Sequence, residues 1–360
     1  MKIVAVGDIM PGGLLSVLKT EYATEEVRSA LNTADIRVGN FECAVEITRP
    51  EGKKYAAGGN TIFVKTEDVY RLSDLGIDIV SIANNHIFDL GPEGAYKAME
   101  VLDQLGIRYC GAGRNITEAR KPVIIEKQGK TYAFLAFADT GLKYMYEATD
   151  TLPGVNPLNE ENVVSVIRKT SKLYDFVIVI PHWGVEYSSF PTLRVERLSK
   201  QMIEAGADLV LGGHTHRIQP IVKNRHKCIV YSLGNFVFPD RIINCPRFTW
   251  YPEDTRVDIS SLPRVIGRCP QVEIPTIKTW YPCAYTGMMV FCSFEEGSLS
   301  ISQSFVHMDV DSYCVSILHK GMLFQQFFLK IIGMAIKYNI YLPFYVMLRI
   351  CRKLNSLLKF

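Results

Sequence analysis

The 360-residue chain reads as an α/β protein, a sheet covered by helices, with a basic amphipathic helical tail at its C-terminal end. Three observations say so. Over the first 235 residues, short apolar runs alternate with stretches of helical period, the pattern of strands and covering helices. Five of those runs stop at a small residue or turn and then present side chains that bind metals. Beyond residue 311 acidic residues vanish while apolar ones stay abundant.

Taken in order, strands are expected at Ile3–Val6, Ile36–Val38, Ile79–Ile82, Phe176–Ile180 and Leu209–Leu211. Helices are expected near Thr66–Leu75, Glu93–Leu105, Glu160–Tyr174 and Leu193–Glu204. The second of these follows Gly91-Pro92 and stops at Gly106, the usual start and stop signals. Val123–Glu126 and Thr131–Phe137 flank Gly129 and read as a hairpin, so some pairing is antiparallel. From Pro239 to Pro282 the chain carries seven of its 17 prolines together with Trp250 and Trp280. That texture opposes regular structure and reads as an excursion, with Arg241, Arg247, Arg256, Arg264 and Arg268 poised as a lid over an anionic substrate or spread over a plain surface insertion. Tyr285–Phe294 and Leu299–Val306 close the globular part. Residues 1–311 are therefore expected to form one domain with an insertion at 239–282, followed by a tail at 312–360.

A composition of 48% hydrophobic and 21% charged residues supports a large core and excludes a disordered or fibrous chain. The opening MKIVAVGDIMPGG has only four apolar residues before Gly7-Asp8, too few for a secretory signal. No apolar run reaches transmembrane length. Nine cysteines without a C-x-x-C pair fit reduced thiols. The expected location is cytoplasmic, without signal peptide or membrane-spanning helix.

The five strand ends are Gly7-Asp8, Gly39-Asn40-Phe41-Glu42, Asn84-Asn85-His86, His182-Trp183-Gly184 and Gly213-His214-Thr215-His216. Ligands of open α/β sheets bind beyond the carboxyl ends of strands, and four of the seven histidines lie there. Each end alone is ordinary: a histidine after a strand is commonly a hydrogen-bonded structural residue, and Asp8 suits a helix cap. Five together point to a shared metal site. Carboxylate, amide and imidazole donors without cysteine suit Mn, Fe or Zn. Six candidates exceed one tetrahedral zinc and suffice for two divalent ions clamping a phosphate ester.

The series Gly7-Asp8, Asn40-x-Glu42, Asn84-Asn85-His86, His182-Trp183-Gly184-x-Glu186-Tyr187, Gly213-His214-x-His216 and Tyr231–Phe236 resembles the CapA-type capsule (poly-gamma-glutamate) biosynthesis family, a branch of the calcineurin-like metallophosphoesterase superfamily. The resemblance implies a four-layer αββα sandwich and a metal-dependent phosphoesterase centre. It implies Asp8 and His216 on a first metal, Glu42 as the bridge, and Asn85, His182 and His214 on a second. His86 would act as the catalytic acid, protonating the leaving oxygen. Met10 stands where the superfamily usually places a histidine, and a thioether binds hard divalent metals poorly. Trp183, Glu186 and Tyr187 either line the substrate pocket or pack and brace the ligands. Asn40 and Asn235 are expected on substrate, Asn235 alternatively as turn chemistry. His226, His307 and His319 are expected to be structural.

Two functions remain open. One is an enzyme of capsule or exopolymer synthesis acting on a phosphorylated intermediate or an anionic polymer. The other is a non-catalytic membrane-associated subunit of a polyglutamate synthesis or export complex. Nucleic acid is not expected as a partner. The net charge is only +3, yet the tail holds seven of the 40 basic residues and none of the 37 acids, leaving 33 bases against 37 acids, a net of −4, for residues 1–311. Such a tail suits an anionic membrane surface or a synthesis complex, or else docks on the body. Pro343 is expected to divide it into two helices.

Overall fold

The computed structural model describes residues 1–47, 61–139, 146–244, 248–249, 258–267, 274–295, 298–319 and 323–357. Two sheets lie face to face. The first runs Val315–Ile317, Ser298–Met308, Thr286–Glu295, Lys2–Ile9, Ile36–Phe41, Ile79–Ser81, Arg108–Cys110, with Asn235–Val237 also paired to Lys2–Ile9. Its four strands from Lys2–Ile9 to Arg108–Cys110 are mutually parallel, and the closing strands add antiparallel neighbours. The second runs Ile221–Lys223, Cys228–Val230, Leu209–Leu211, Phe176–His182, Lys130–Ala138, Val123–Lys127. Its outermost strand on one side forms the expected antiparallel hairpin.

Period-two alternation separates the layers. In the second sheet Phe134, Ala136, Ile178, Ile180, Leu209 and Leu211 pack into the core shared with the first sheet. Leu135, Phe137, Val177, Val179 and Val210 face the other way, under Leu198 and Met202 of the Leu193–Ala205 helix and Val163 and Ile167 of the Glu160–Thr170 helix. On the far side of the first sheet, Ala98, Val101 and Leu102 of the Gly91–Gln104 helix complete the layering. The result is the expected helix–sheet–sheet–helix sandwich, and its strand ends meet at one rim.

Three expectations change in detail. Thr66–Leu75 is an α-helix to Tyr70 and then a 3₁₀ turn, Arg71–Leu75, ended by left-handed Gly76. The Glu160 helix stops at Thr170, short of Tyr174. The described residues of the proline-rich insertion are not irregular: Arg241–Asn244, Phe248–Thr249, Arg264–Ile266 and Thr276–Thr279 form a four-stranded sheet. Pro239, Pro263, Pro275 and Pro282 fall outside these short strands, where no ladder N–H is lost. Arg241 is buried and donates to the Thr61 carbonyl, Arg264 is exposed, and Arg247, Arg256 and Arg268 lie outside the described residues.

The tail also differs. Val315–Ile317 is the edge strand of the first sheet, so that sheet extends past residue 311. The two helices are Leu323–Lys337 and Tyr341–Leu357. They part at left-handed Asn339, while Pro343 sits inside the first turn of the second helix, where its missing N–H has no partner to lose. Ile332, Ala335, Ile336 and Tyr341 are buried in the outer core of the second sheet. The Leu323–Lys337 helix thus docks on the body.

Candidate metal centre

Register brings the strand ends together. Asp8 stands abreast of Asn40 on one neighbouring strand and of Asn235 on the other, and His182 stands abreast of Gly213. Two glycines permit the approach. A Cβ on Gly7 would lie 1.9 Å from the Gly234 carbonyl oxygen, and one on Gly213 would lie 2.7 Å from Asp8 Oδ1.

Asp8, Glu42, His182, His214 and His216 are buried there. Their ligating atoms form two groups, Asp8–Glu42–His216 and Glu42–His182–His214, and within each group the atoms lie within 4.8 Å of one another. Glu42 belongs to both. Its Oε1 lies 3.5 Å from His182 Nε2 and 3.8 Å from His216 Nε2, and it has no hydrogen-bond partner among the described residues. His182 Nε2 is also 3.1 Å from His214 Nδ1 and 2.7 Å from Asn85 Oδ1. Six sequence-nominated ligands therefore converge on one small volume.

The electrostatics match a cation. Burial holds His182 well below the usual imidazole range, and neighbouring imidazoles push it the same way. Burial also brings His214 down to about 3. Both rings are neutral near pH 7, with lone pairs to donate. Burial raises the Asp8 and Glu42 carboxyls, and for Glu42 the charges of Asp8 and Glu186 add to it. Acids disfavoured as anions beside neutral imidazoles are relieved by a positive ion between them. An orphaned carboxylate oxygen with this donor set fits a divalent metal.

Backbone strain concentrates here too. His214, His216 and Tyr187 have φ of 83°, 51° and 60°, the left-handed region that non-glycine residues avoid.

The remaining nominated residues divide. His86 Nδ1 lies 2.7 Å from Asp89 Oδ2, the oxygen that also accepts the Ile62 N–H. Asn40, expected on substrate, instead donates to Asp8 Oδ1 at 2.8 Å and to Glu42 Oε2 at 3.2 Å. Asn235 likewise turns to the ligands: its Oδ1 lies 2.9 Å from His216 Nδ1, and its Nδ2 donates to the Ala284 carbonyl. Trp183 is core, its indole donating to the Tyr231 carbonyl on the helix-covered face, because alternation turns it away from His182. Glu186 is exposed at the rim. Partial desolvation raises its carboxyl, but His216, His214, His86 and Lys278 outweigh that and hold it below the usual range. Tyr187 is half-buried, its ring 6.0 Å from that of His216.

Several neighbours of these residues were given no site role in the sequence. Asp89 lies three residues after His86, a spacing that carries a signal. Asn84 holds this loop, its Oδ1 accepting the His86 and Ile87 N–H groups. The insertion supplies Trp280, its ring 5.6 Å from that of His216, with the Lys278 ammonium 4.6 Å from the Trp280 ring centre. Nothing local in the sequence marks these two.

A profile of the family described as bacterial capsule synthesis protein PGA_cap matches residues 2–240, which hold every residue of the two ligand groups. The chain belongs to this family. Among its relatives, the PGA biosynthesis protein CapA of Bacillus subtilis is 33% identical over 240 residues, covering 65% of this chain and 62% of that protein. The capsule biosynthesis protein CapA of Bacillus anthracis is 32% identical over 241 residues, covering 65% and 58%. The match thus spans less than two thirds of either relative. The solved 5'-nucleotidase of Candida albicans superposes with a TM-score of 0.45 at 12% identity, over 87% of this chain and 52% of that one.

Proposed function

We propose that this PGA_cap member is a metal-dependent phosphoesterase of capsule-polymer assembly, acting on a phosphorylated intermediate or on the anionic polymer itself. The observation that carries it is Glu42, a buried carboxylate shared by two ligand groups with one oxygen orphaned among the described residues. Burying such an oxygen without a partner costs several kcal/mol. A divalent cation held by these groups would remove that cost.

Asp8, Glu42 and His216 would hold one divalent ion, and Glu42, His182 and His214, with the Asn85 amide oxygen, the other. Ions so bound polarise a phosphoryl oxygen and lower the pKa of water. Asn40 and Asn235 fix the ligands: Asn40 through both carboxylates, Asn235 through His216. Asp89 orients His86 through Nδ1, which leaves Nε2 to protonate a leaving oxygen. Glu186 and Tyr187 stand at the rim, beside the path a substrate takes. The process is supported by family membership and by the names of the two Bacillus relatives.

One residue favours a second reading, a non-catalytic subunit whose cleft only binds anionic polymer. Met10 is fully buried in the apolar core and supplies no hard donor beside Asp8.

The test is bound-metal content and Mn-dependent hydrolysis of phosphate mono- and diesters for wild type, Asp8→Asn and His214→Ala. Two ions per chain in the wild type, with activity falling about a hundredfold or more in both variants, is the expected result. Metal-free, inactive protein that still supports capsule formation after either substitution would establish the subunit instead.

A further inference from the structure

The Leu323–Lys337 helix buries Ile332, Ala335 and Ile336 against the second sheet. A helix docked in this way usually turns a polar face to water. This one does not. Phe327, Met334 and Tyr338 stand outward at 63%, 52% and 66% exposure, with Lys330 and Lys337 exposed between them. Spacings of three and four residues line the five side chains along one stripe. Past the turn, Ile340, Leu342, Val346 and Met347 are exposed as well. Docking therefore accounts for one apolar face of the tail and leaves a second.

We propose that this outward face is a docking surface for an anionic phospholipid bilayer. Charge selects the occupant. Residues 312–360 hold seven Lys and Arg and no Asp or Glu. A second copy laid on the face would bring lysine against lysine, whereas acidic headgroups complement the stripe while acyl chains take Phe327 and Met334. Among the described residues no helix is long and apolar enough to cross a membrane. The contact lies in the plane of the interface. It is independent of the metal centre.

The test is co-sedimentation of the full chain with vesicles of phosphatidylcholine alone and of phosphatidylcholine mixed equally with phosphatidylglycerol. Wild type should bind the mixed vesicles and release as salt rises. Lys330→Gln with Lys337→Gln should lower the partition coefficient about fivefold per lysine. Phe327→Ser, Met334→Ser and Tyr338→Ser together should abolish binding, with circular dichroism and melting temperature unchanged. Absence of wild-type binding to the mixed vesicles overturns the proposal. So does binding that neither salt nor the lysine pair alters. A dimer in sedimentation that the triple variant dissociates, without vesicle binding, assigns the face to a second copy.

Discussion

Glu42 is the residue whose environment is hardest to justify without a ligand. A carboxylate at full burial, beside Asp8 and with Oε1 unpartnered among the described residues, is held against both desolvation and like charge. Replacing it by glutamine removes the charge but keeps the shape. Glu42→Gln should therefore stabilise chelator-treated protein by about 1–3 kcal/mol in urea unfolding. Added Mn should stabilise the wild type and leave the variant unmoved. A variant less stable than wild type in chelator would mean that Glu42 is a structural acid. That these side chains meet was legible in the sequence, since each follows an apolar run and strand ends share a rim. Hydrogen-bond commitments were not legible. Asn40 and Asn235 look like substrate residues until the register sets them on either side of Asp8. Trp183 looks like one until alternation turns it from His182 into the outer core.

At the scale of elements, the insertion is where composition misled most. Proline and tryptophan density read as irregular chain, yet buried Ile242, Ile243 and Ile277 are strand residues of a small sheet. A single acid fastens that sheet to the body. Asp240 Oδ1 accepts the Tyr285 hydroxyl at 2.5 Å and the Trp280 N–H at 3.2 Å, and Oδ2 accepts the Tyr313 hydroxyl at 2.9 Å. Tyr313 comes from the segment just before the edge strand of the first sheet, so one side chain ties three distant stretches together. Asp240→Ala takes the acceptor from the buried Tyr285 and Tyr313 hydroxyls and one of two acceptors from the Trp280 N–H. It should lower stability by about 2–4 kcal/mol in urea unfolding. Because Trp280 packs beside His216, it should also weaken metal retention in dialysis. Unchanged stability would show that the sheet is held without Asp240, by its apolar contacts and the Arg241 bond to the Thr61 carbonyl. No local pattern announces an anchor whose partners lie 40 and 73 residues away.

For the whole molecule, the tail decides how the layers close. The second sheet is covered by the Glu160 and Leu193 helices over its central strands, and its Ile221–Lys223 edge is covered by the Leu323–Lys337 helix. That helix comes close at Gly333, where a Cβ would lie 3.1 Å from the Ile221 carbonyl oxygen. Tyr341 completes the dock by donating to the Pro191 carbonyl at 2.5 Å. Sequence reading saw an acid-free amphipathic tail but not which face it buries, because both faces are rich in apolar residues and only the sheet breaks the tie. The two faces predict opposite mutational behaviour. Ile332 is wholly buried, so Ile332→Ala should cost about 2–4 kcal/mol through lost burial and a residual cavity. Met334 is two residues on and faces outward, so Met334→Ser should stay within about 0.5 kcal/mol. Urea unfolding of both variants is the measurement. If Ile332→Ala were as mild as Met334→Ser, the helix would be a loosely held appendage, and the sandwich would end at its three inner layers on this edge. If the difference holds, the tail is part of the fold that supports the candidate metal centre. A basic, apolar surface is then fixed rigidly to that centre through the second sheet.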